Sequence, residues 1–300
     1  MAVSGFVVSY NRESLLGTCL RSLRFVDELI VIDKSSTDGS RNVARRYADR
    51  VITVPWSPTV EETRSFALEQ CRHEWIAFLD DDEMLSPAAI VHLHAARDST
   101  AADIVALPLR HWILGAFDPE AYYWPEHQVR FFRRGSVMFG DVVHGGIALR
   151  SDRIERIPPG SPIWIEHLSH RDVAQWIERT NRYTSRPQRV QAAPEGADLI
   201  DFAHRRIDHW LARSHASDRN DYAAAVALLR AVYDMVDRVK AWETARGVDG
   251  DQAFRTRCAE LEVEYDALEA SQGIATGRRR RPRGAWARRM MGRLAGHGRC

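Results

Sequence analysis

The sequence predicts an α/β domain with a mostly parallel sheet, followed by a helical extension. Over residues 1–107, short apolar runs of strand length alternate with segments of helical period. One of those runs, Trp75-Ile-Ala-Phe-Leu79, stops abruptly at Asp80-Asp-Asp-Glu83, where four acids mark the point at which a strand leaves its sheet. From Asp172 to about Ser271 the pattern is helical, broken near Arg186-Pro187, Ala193-Pro194 and Gly247–Gly250.

Each element has its own signal. Phe6–Ser9 reads as a first strand, and Glu13–Leu23 as an amphipathic helix with Leu15, Leu16, Leu20 and Leu23 on one side. Glu28–Ile32 is a buried strand. Ser36-Thr-Asp-Gly-Ser40 is turn chemistry, with Asp38 the expected cap of a helix over Arg41–Tyr47. Val51–Val54 is a short strand, Val60–Cys71 a helix and Trp75–Leu79 a strand. Ser86-Pro87 caps and opens another helix, with Pro at its first position. Asp103–Leu107 is a further strand. Residues 108–170 are rich in aromatics, Gly and Pro, with runs such as Tyr122-Tyr-Trp124 and Gln128-Val-Arg-Phe-Phe132, which predicts hairpins and loops over an acceptor-facing layer.

Composition sets the class. With 300 residues, 45% hydrophobic and 28% charged, the chain has enough material for a sizeable core. No apolar stretch reaches the roughly 18 residues of a membrane span. The chain enters Gly5-Phe-Val-Val-Ser9 without a basic leader, so no signal peptide is expected. Cys19, Cys71, Cys258 and Cys300 are scattered, with no pair at zinc-ligand spacing, and read as reduced thiols of a cytoplasmic protein. The net charge of +1 hides an asymmetry: residues 278–300 carry nine Arg and no acid. That tail, with Trp286, Met290, Met291 and Leu294 among the arginines, reads as a disordered basic end, a basic helix on an anionic membrane surface, or a phosphate-binding arm for nucleic acid.

The acids carry the chemistry. A buried strand does not hold four carboxylates, so they are expected in a loop or cleft at its end. Asp80 and Asp82 have the spacing to share a hard divalent cation, Mg²⁺ or Mn²⁺, which takes oxygen ligands and often phosphate oxygens. The plain alternative is a solvated turn that caps the next helix. Ligands of parallel sheets bind at the carboxyl ends of the strands, where Asp33 also lies.

Three blocks, Ser9-Tyr-Asn-Arg-Glu13, Ile32-Asp-Lys-Ser-Ser-Thr-Asp-Gly-Ser40 and Leu79-Asp-Asp-Asp-Glu83, resemble in order and spacing the nucleotide-sugar half of family 2 glycosyltransferases with the Rossmann-like GT-A fold. The resemblance covers residues 5–185. It is nearest to the non-processive branch that includes lipopolysaccharide-core glucosyltransferases, through Arg64-Ser-Phe-Ala-Leu68, residues 128–132, 143–144, 167–170 and 181–183. It implies a domain over 1–185, with a nucleotide-sugar half (1–107) and an acceptor half (108–185). A helical extension over 186–272 and a basic tail over 273–300 follow.

What the resemblance implies for residues is specific. Asp82 would ligate the metal, and Asp80 would face the ribose or share the metal network, with Asp81 at the variable middle position. Asp33 would bond the base or ribose, and the main chain of Tyr10 and Asn11 would pack on the base. Arg64 would pair with donor phosphate, or else form a surface pair with Glu61 or Glu62. His167 would close over metal or pyrophosphate, with His170 a weaker candidate. A general base for the acceptor hydroxyl would come from Glu126, Asp141 or His144, and Glu83 would sit near the acceptor. Two departures stand out: Gly145-Gly146 follow Val143-His144 where an acid is usual, and Lys34 follows Asp33.

The expected activity is metal-dependent, inverting transfer of one sugar from a nucleotide sugar, a UDP-sugar by preference. The acceptor would be a glycan, a lipid-linked saccharide, a protein or a modified nucleic acid. The Gln-x-x-Arg-Trp block of processive members is absent. The competing readings are an aspartyl-nucleophile phosphatase and a non-catalytic, basic-tailed binding module. A homodimer through 188–271 and a membrane contact through 278–300 are the partner expectations.

Overall fold

The computed structural model describes residues 1–57, 60–140, 147–185, 199–214, 221–247 and 249–273. Asp141, His144 and the arginine-rich tail lie outside the described residues. The first half runs β1 (Val3–Ser9), α1 (Glu13–Ser22), β2 (Glu28–Asp33), α2 (Ser40–Tyr47), β3 (Arg50–Thr53), α3 (Glu61–Gln70) and β4 (Trp75–Asp80). Next come β5 (Glu83–Leu85), α4 (Pro87–Ser99), β6 (Ile104–Ile113), β7 (Glu126–Arg133), β8 (Val137–Phe139), β9 (Ile147–Leu149), β10 (Ile154–Arg156) and β11 (Ile165–His170). Helices α5 (Val173–Thr184), α6 (Leu199–Arg213), α7 (Asp221–Arg246) and α8 (Gly250–Gln272) follow.

The main sheet has the order β3-β2-β1-β4-β7-β6-β11-β5, with β10 also on β6. Strands β3, β2, β1 and β4 are parallel, as are β10 and β11 to β6. Strand β7 runs antiparallel between β4 and β6, and β5 antiparallel on β11. The α/β class, the mostly parallel sheet and the helical C-terminal region are as expected.

Both faces of the sheet are buried, which is why its strands read as continuous apolar runs. Successive residues feed opposite cores. Phe6, Ile30, Ile32, Ile76, Phe78 and Phe132 enter one, and Val7, Val31, Trp75, Ala77, Leu79 and Phe131 the other. Phe6 stacks on Phe78 at 5.1 Å and Trp75 on Phe131 at 4.5 Å between ring centroids. Helix α4 is capped as expected, the Ser86 side chain accepting from the Ala89 N–H. The cap of α2 is Gly39 rather than Asp38. Asp38 instead accepts from the backbone N–H of Ser40 (2.9 Å) and Glu13 (3.1 Å), tying the starts of α1 and α2 together. Gly39 donates to the Glu13 carboxylate, and a Cβ there would lie 2.2 Å from it, so the turn requires glycine.

By packing, the chain divides into Met1–Trp242 and Glu243–Cys300, so α6 and α7 up to Trp242 group with the sheet. Tyr222 and Val226 of α7 pack with Ile113, Ala121 and Tyr123, and Trp210 of α6 packs with Ala227, Ala231 and Tyr122. Among the described residues no helix is long and apolar enough to cross a membrane.

Candidate active site

Parallel strands β1 to β4 end at one edge of the sheet, and the segments that follow them line a cleft of about 450 Å³. Ser9, Tyr10 and Arg12 come from the end of β1, Lys34 follows β2, and Trp56 follows β3. Asp80, Asp81 and Asp82 follow β4. The opposite wall brings His167, Ser169 and His170 of β11 and Arg179, Arg182 and Tyr183 of α5. Helix α3 adds Arg64.

The four acids straddle a tight β4–β5 turn, and arginines from distant segments hold them. Asp80 receives Arg64 on one oxygen and Arg130 Nη2 on the other at 3.1 Å. Burial alone would raise its carboxyl, but these guanidinium groups keep it below the usual range. Asp81 accepts from the Tyr10 backbone N–H at 3.1 Å and from Arg12 Nε at 3.0 Å. Burial and the neighbouring Asp82 charge push it up to about 6. Asp82 Oδ2 takes Arg12 Nη2 at 3.1 Å and Arg179 Nη2 at 3.5 Å, while Oδ1 lies 3.5 Å from His167 Nε2. Burial opposes its ionisation, yet His167, Arg12 and Arg179 hold the carboxyl well below the usual range.

Glu83 needs a correction. It does not sit near an acceptor but is 1% exposed and turned away from the cleft. Its two oxygens form a bidentate pair with Arg130, both contacts at 2.7 Å, and Oε2 also accepts the Asp80 backbone N–H. The expectation that the acids are solvent-facing fails for Asp82 and Glu83, because Arg12, Arg130 and Arg179 neutralise them in place.

His167 is in the cleft, and it has a partner the sequence did not suggest. Its Nδ1 lies 2.8 Å from His111 Nδ1, and His111 Nε2 lies 3.0 Å from Glu126 Oε2. Burial would lower the His167 imidazole, but Asp82 more than offsets this and raises it. His170 bonds Ser169 Oγ at 2.7 Å, and burial with the nearby Arg179 charge lowers it to about 4. Glu126 also accepts from Gln128 Nε2 at 2.6 Å, so both its oxygens are engaged.

Asp33 and Asn11 are not among the residues lining the cleft. Asp33 is 1% exposed and accepts from the Ser36 N–H, with Arg41 Nε at 3.4 Å. Asn11 has a left-handed backbone (φ 51°) and its Oδ1 accepts the Thr37 N–H at 2.8 Å, pinning the turn after β2. Tyr10 does reach the cleft, its ring 6.1 Å from that of Trp56, and the two are 38% and 54% exposed.

A divalent cation fits the donor set at one point. Asp82 Oδ1 and His167 Nε2 are 3.5 Å apart, close to the edge of a coordination shell with bonds of roughly 2.1 Å. Among the described residues no group of three His, Cys, Asp or Glu could hold a metal. The other ligands would therefore be substrate phosphates and water, as hard cations commonly use.

Comparisons with known proteins agree with these features. Residues 4–151 match the family model described as glycosyl transferase family 2. The lipopolysaccharide core biosynthesis glycosyltransferase LpsC of Rhizobium meliloti is 32% identical over 158 residues, 49% of this chain and 57% of that protein. The uncharacterized glycosyltransferase RT0209 of Rickettsia typhi is 34% identical over 85 residues, 28% of this chain and 29% of that one. The chain thus spans little more than half, or less, of the length of these relatives. The crystal structure of S. aureus TarS is 14% identical, covers 81% of this chain and 55% of its own, and has a TM-score of 0.44. The blocks at Ser9–Glu13, Ile32–Ser40 and Leu79–Glu83 all fall inside the matched segment, and residues 4–151 are a glycosyl transferase family 2 domain.

Proposed function

We propose that this chain is a metal-dependent, inverting glycosyltransferase that moves one sugar from a nucleoside diphosphate sugar, a UDP-sugar by preference, to an acceptor hydroxyl. One observation carries the reading. The same cleft presents Asp82 with His167, five cationic side chains (Arg12, Lys34, Arg64, Arg179 and Arg182) and the exposed aromatic pair Tyr10 and Trp56. Cations suit a diphosphate, and the aromatic pair suits a base. Asp33, beneath the turn that follows β2, would act on the base or ribose through that turn.

Asp82 and His167 would hold Mn²⁺ or Mg²⁺, which when bound supplies Lewis-acid stabilisation of the departing diphosphate. The protein's own residues do the rest. Arg64 and Arg130 keep Asp80 ionised and fixed beside the donor site. Arg12 and Arg179 keep Asp82 ionised, so that it presents a carboxylate rather than an acid. With Glu83 committed to Arg130, proton removal from the acceptor falls to the acceptor side, where Asp141 and His144 remain candidates. A phosphatase using Asp80 as nucleophile is disfavoured, since both its oxygens are held by arginine.

The acceptor could be a glycan, a lipid-linked saccharide, a protein or a modified nucleic acid. The LpsC relative makes a saccharide of lipopolysaccharide type the first to try. A thermal-shift screen of nucleotide sugars with and without Mn²⁺ tests the donor reading, because a ligand of the native state raises its melting temperature. A rise for one or a few UDP-sugars, dependent on Mn²⁺, is expected. No rise with any nucleotide sugar would favour the binding-module reading.

A further inference from the structure

Four side chains from four separate segments form one hydrogen-bonded line: Glu126, His111, His167 and Asp82. His111 on β6 and His167 on β11 are register partners on adjacent parallel strands, which sets their rings 4.9 Å apart. Glu126 opens β7, which pairs with β6 on its other side. The line thus crosses three neighbouring strands and ends on the acid that follows β4.

We propose that His111 and Glu126 are positioning residues that fix the ring of His167 with Nδ1–H directed at His111 and Nε2 directed at a divalent cation shared with Asp82. This rests on the metal reading of the site given above, and it reassigns Glu126 from acceptor base to support of a metal ligand.

The hydrogen count leads to one arrangement. The Nδ1···Nδ1 contact of 2.8 Å holds a single proton, so one ring donates and the other accepts. Glu126 accepts from Gln128 Nε2 on one oxygen and meets His111 Nε2 with the other. A carboxylate only accepts, so the proton of neutral His111 lies on Nε2 and its Nδ1 is bare. His111 Nδ1 must then accept from His167 Nδ1–H. A cation at His167 Nε2 takes the place of a proton there and leaves the Nδ1–H bond intact. Metal-ligating histidines generally give their second N–H to a carboxylate, carbonyl or water. Here a second imidazole relays that role to Glu126.

Mn²⁺ binding in the presence of UDP, read by calorimetry on wild type, H111L, H111Q, E126L and H167L, tests the proposal. Glutamine at 111 can accept from His167 through its carbonyl and donate to Glu126 through its amide, so it preserves the line, whereas leucine breaks it. H111L and E126L are expected to weaken Mn²⁺ binding 10- to 100-fold. H111Q should stay within about threefold of wild type, and UDP binding without metal should be the same in all. The proposal is overturned if H111L binds Mn²⁺ like wild type while H167L does not, or if H111Q is as weak as H111L. It falls together with the metal reading if wild type shows no Mn²⁺ binding, or if H167L binds as wild type does. The Glu126 side chain is 44% exposed, so E126L tests the same link should H111L fail to fold.

Discussion

Replacing Arg130 with methionine should destabilise the domain severely and reveal what Glu83 is for. The Arg130 and Glu83 side chains are 6% and 2% exposed, and they meet through two contacts of 2.7 Å. Taking away the guanidinium leaves a carboxylate buried without its counter-charge, which costs about 3–5 kcal/mol. For a unit of this size that corresponds to a fall in melting temperature of roughly 6–20 °C. Removing both charges, in Arg130→Met with Glu83→Met, takes away the uncompensated ion. The double variant should lie only about 1–2 kcal/mol below wild type, the residual cost being the acceptor lost by the Asp80 N–H. Urea denaturation of wild type, both single variants and the double variant gives the coupling directly. Additive losses, or a loss under about 1 kcal/mol for Arg130→Met, would refute the reasoning. A Glu83 that acts on the acceptor would show the opposite pattern: kcat would fall in Glu83→Gln while stability held.

Other expectations follow from the same geometry. The His170 proton is bound by the unfolded chain near pH 6.5 but by the folded one only near 4, because of burial and Arg179. The stability this gives is complete above the unfolded value and is lost as pH falls from about 6.5 to 4, by on the order of 2 kcal/mol. His170→Gln should flatten that part of the pH–stability curve, and an unchanged curve measured by urea midpoints would contradict it. Trp56→Ala should weaken UDP binding by about tenfold if the exposed ring stacks on the base, and an unchanged Kd would place the base elsewhere. Asp82→Ala should abolish transfer while the melting temperature stays near that of the parent, and near-normal turnover in a metal-replete assay would remove Asp82 from the metal.

Much of the fold was legible because parallel strands buried on both faces announce themselves as apolar runs. β1, β2, β3 and β4 fall within a few residues of their expected positions. β6 runs on past the expected end at Leu107 to Ile113. Pro108 looked like a stop, but it lies between β10, which pairs with Ile104–Ala106, and β11, which begins opposite Leu109. No ladder bond from its missing N–H is needed on that side. The acids at 80–83 were legible as a site, whereas their burial was not. Arg130 and Arg179 reach them from 47 and 97 positions away, and nothing local in the sequence foretells those pairings. The arginine within Gln128-Val-Arg-Phe-Phe132 was the one available hint, since a charge in a buried strand needs a partner. His111 gave no signal of its own: it meets His167 only through strand register, 56 positions apart. Asp33 was legible as a strand-end acid, but its carboxylate serves the Ser36 turn and Arg41.

The central claim is that Asp82 makes donor binding depend on a divalent cation. Calorimetric titration of UDP into the protein, with Mn²⁺ and with chelator, for wild type and Asp82→Asn, tests it most directly. The account predicts binding by wild type that Mn²⁺ strengthens at least about tenfold, and no such gain in Asp82→Asn. Equal affinity with and without Mn²⁺ in wild type, or an undiminished gain in the variant, would contradict it.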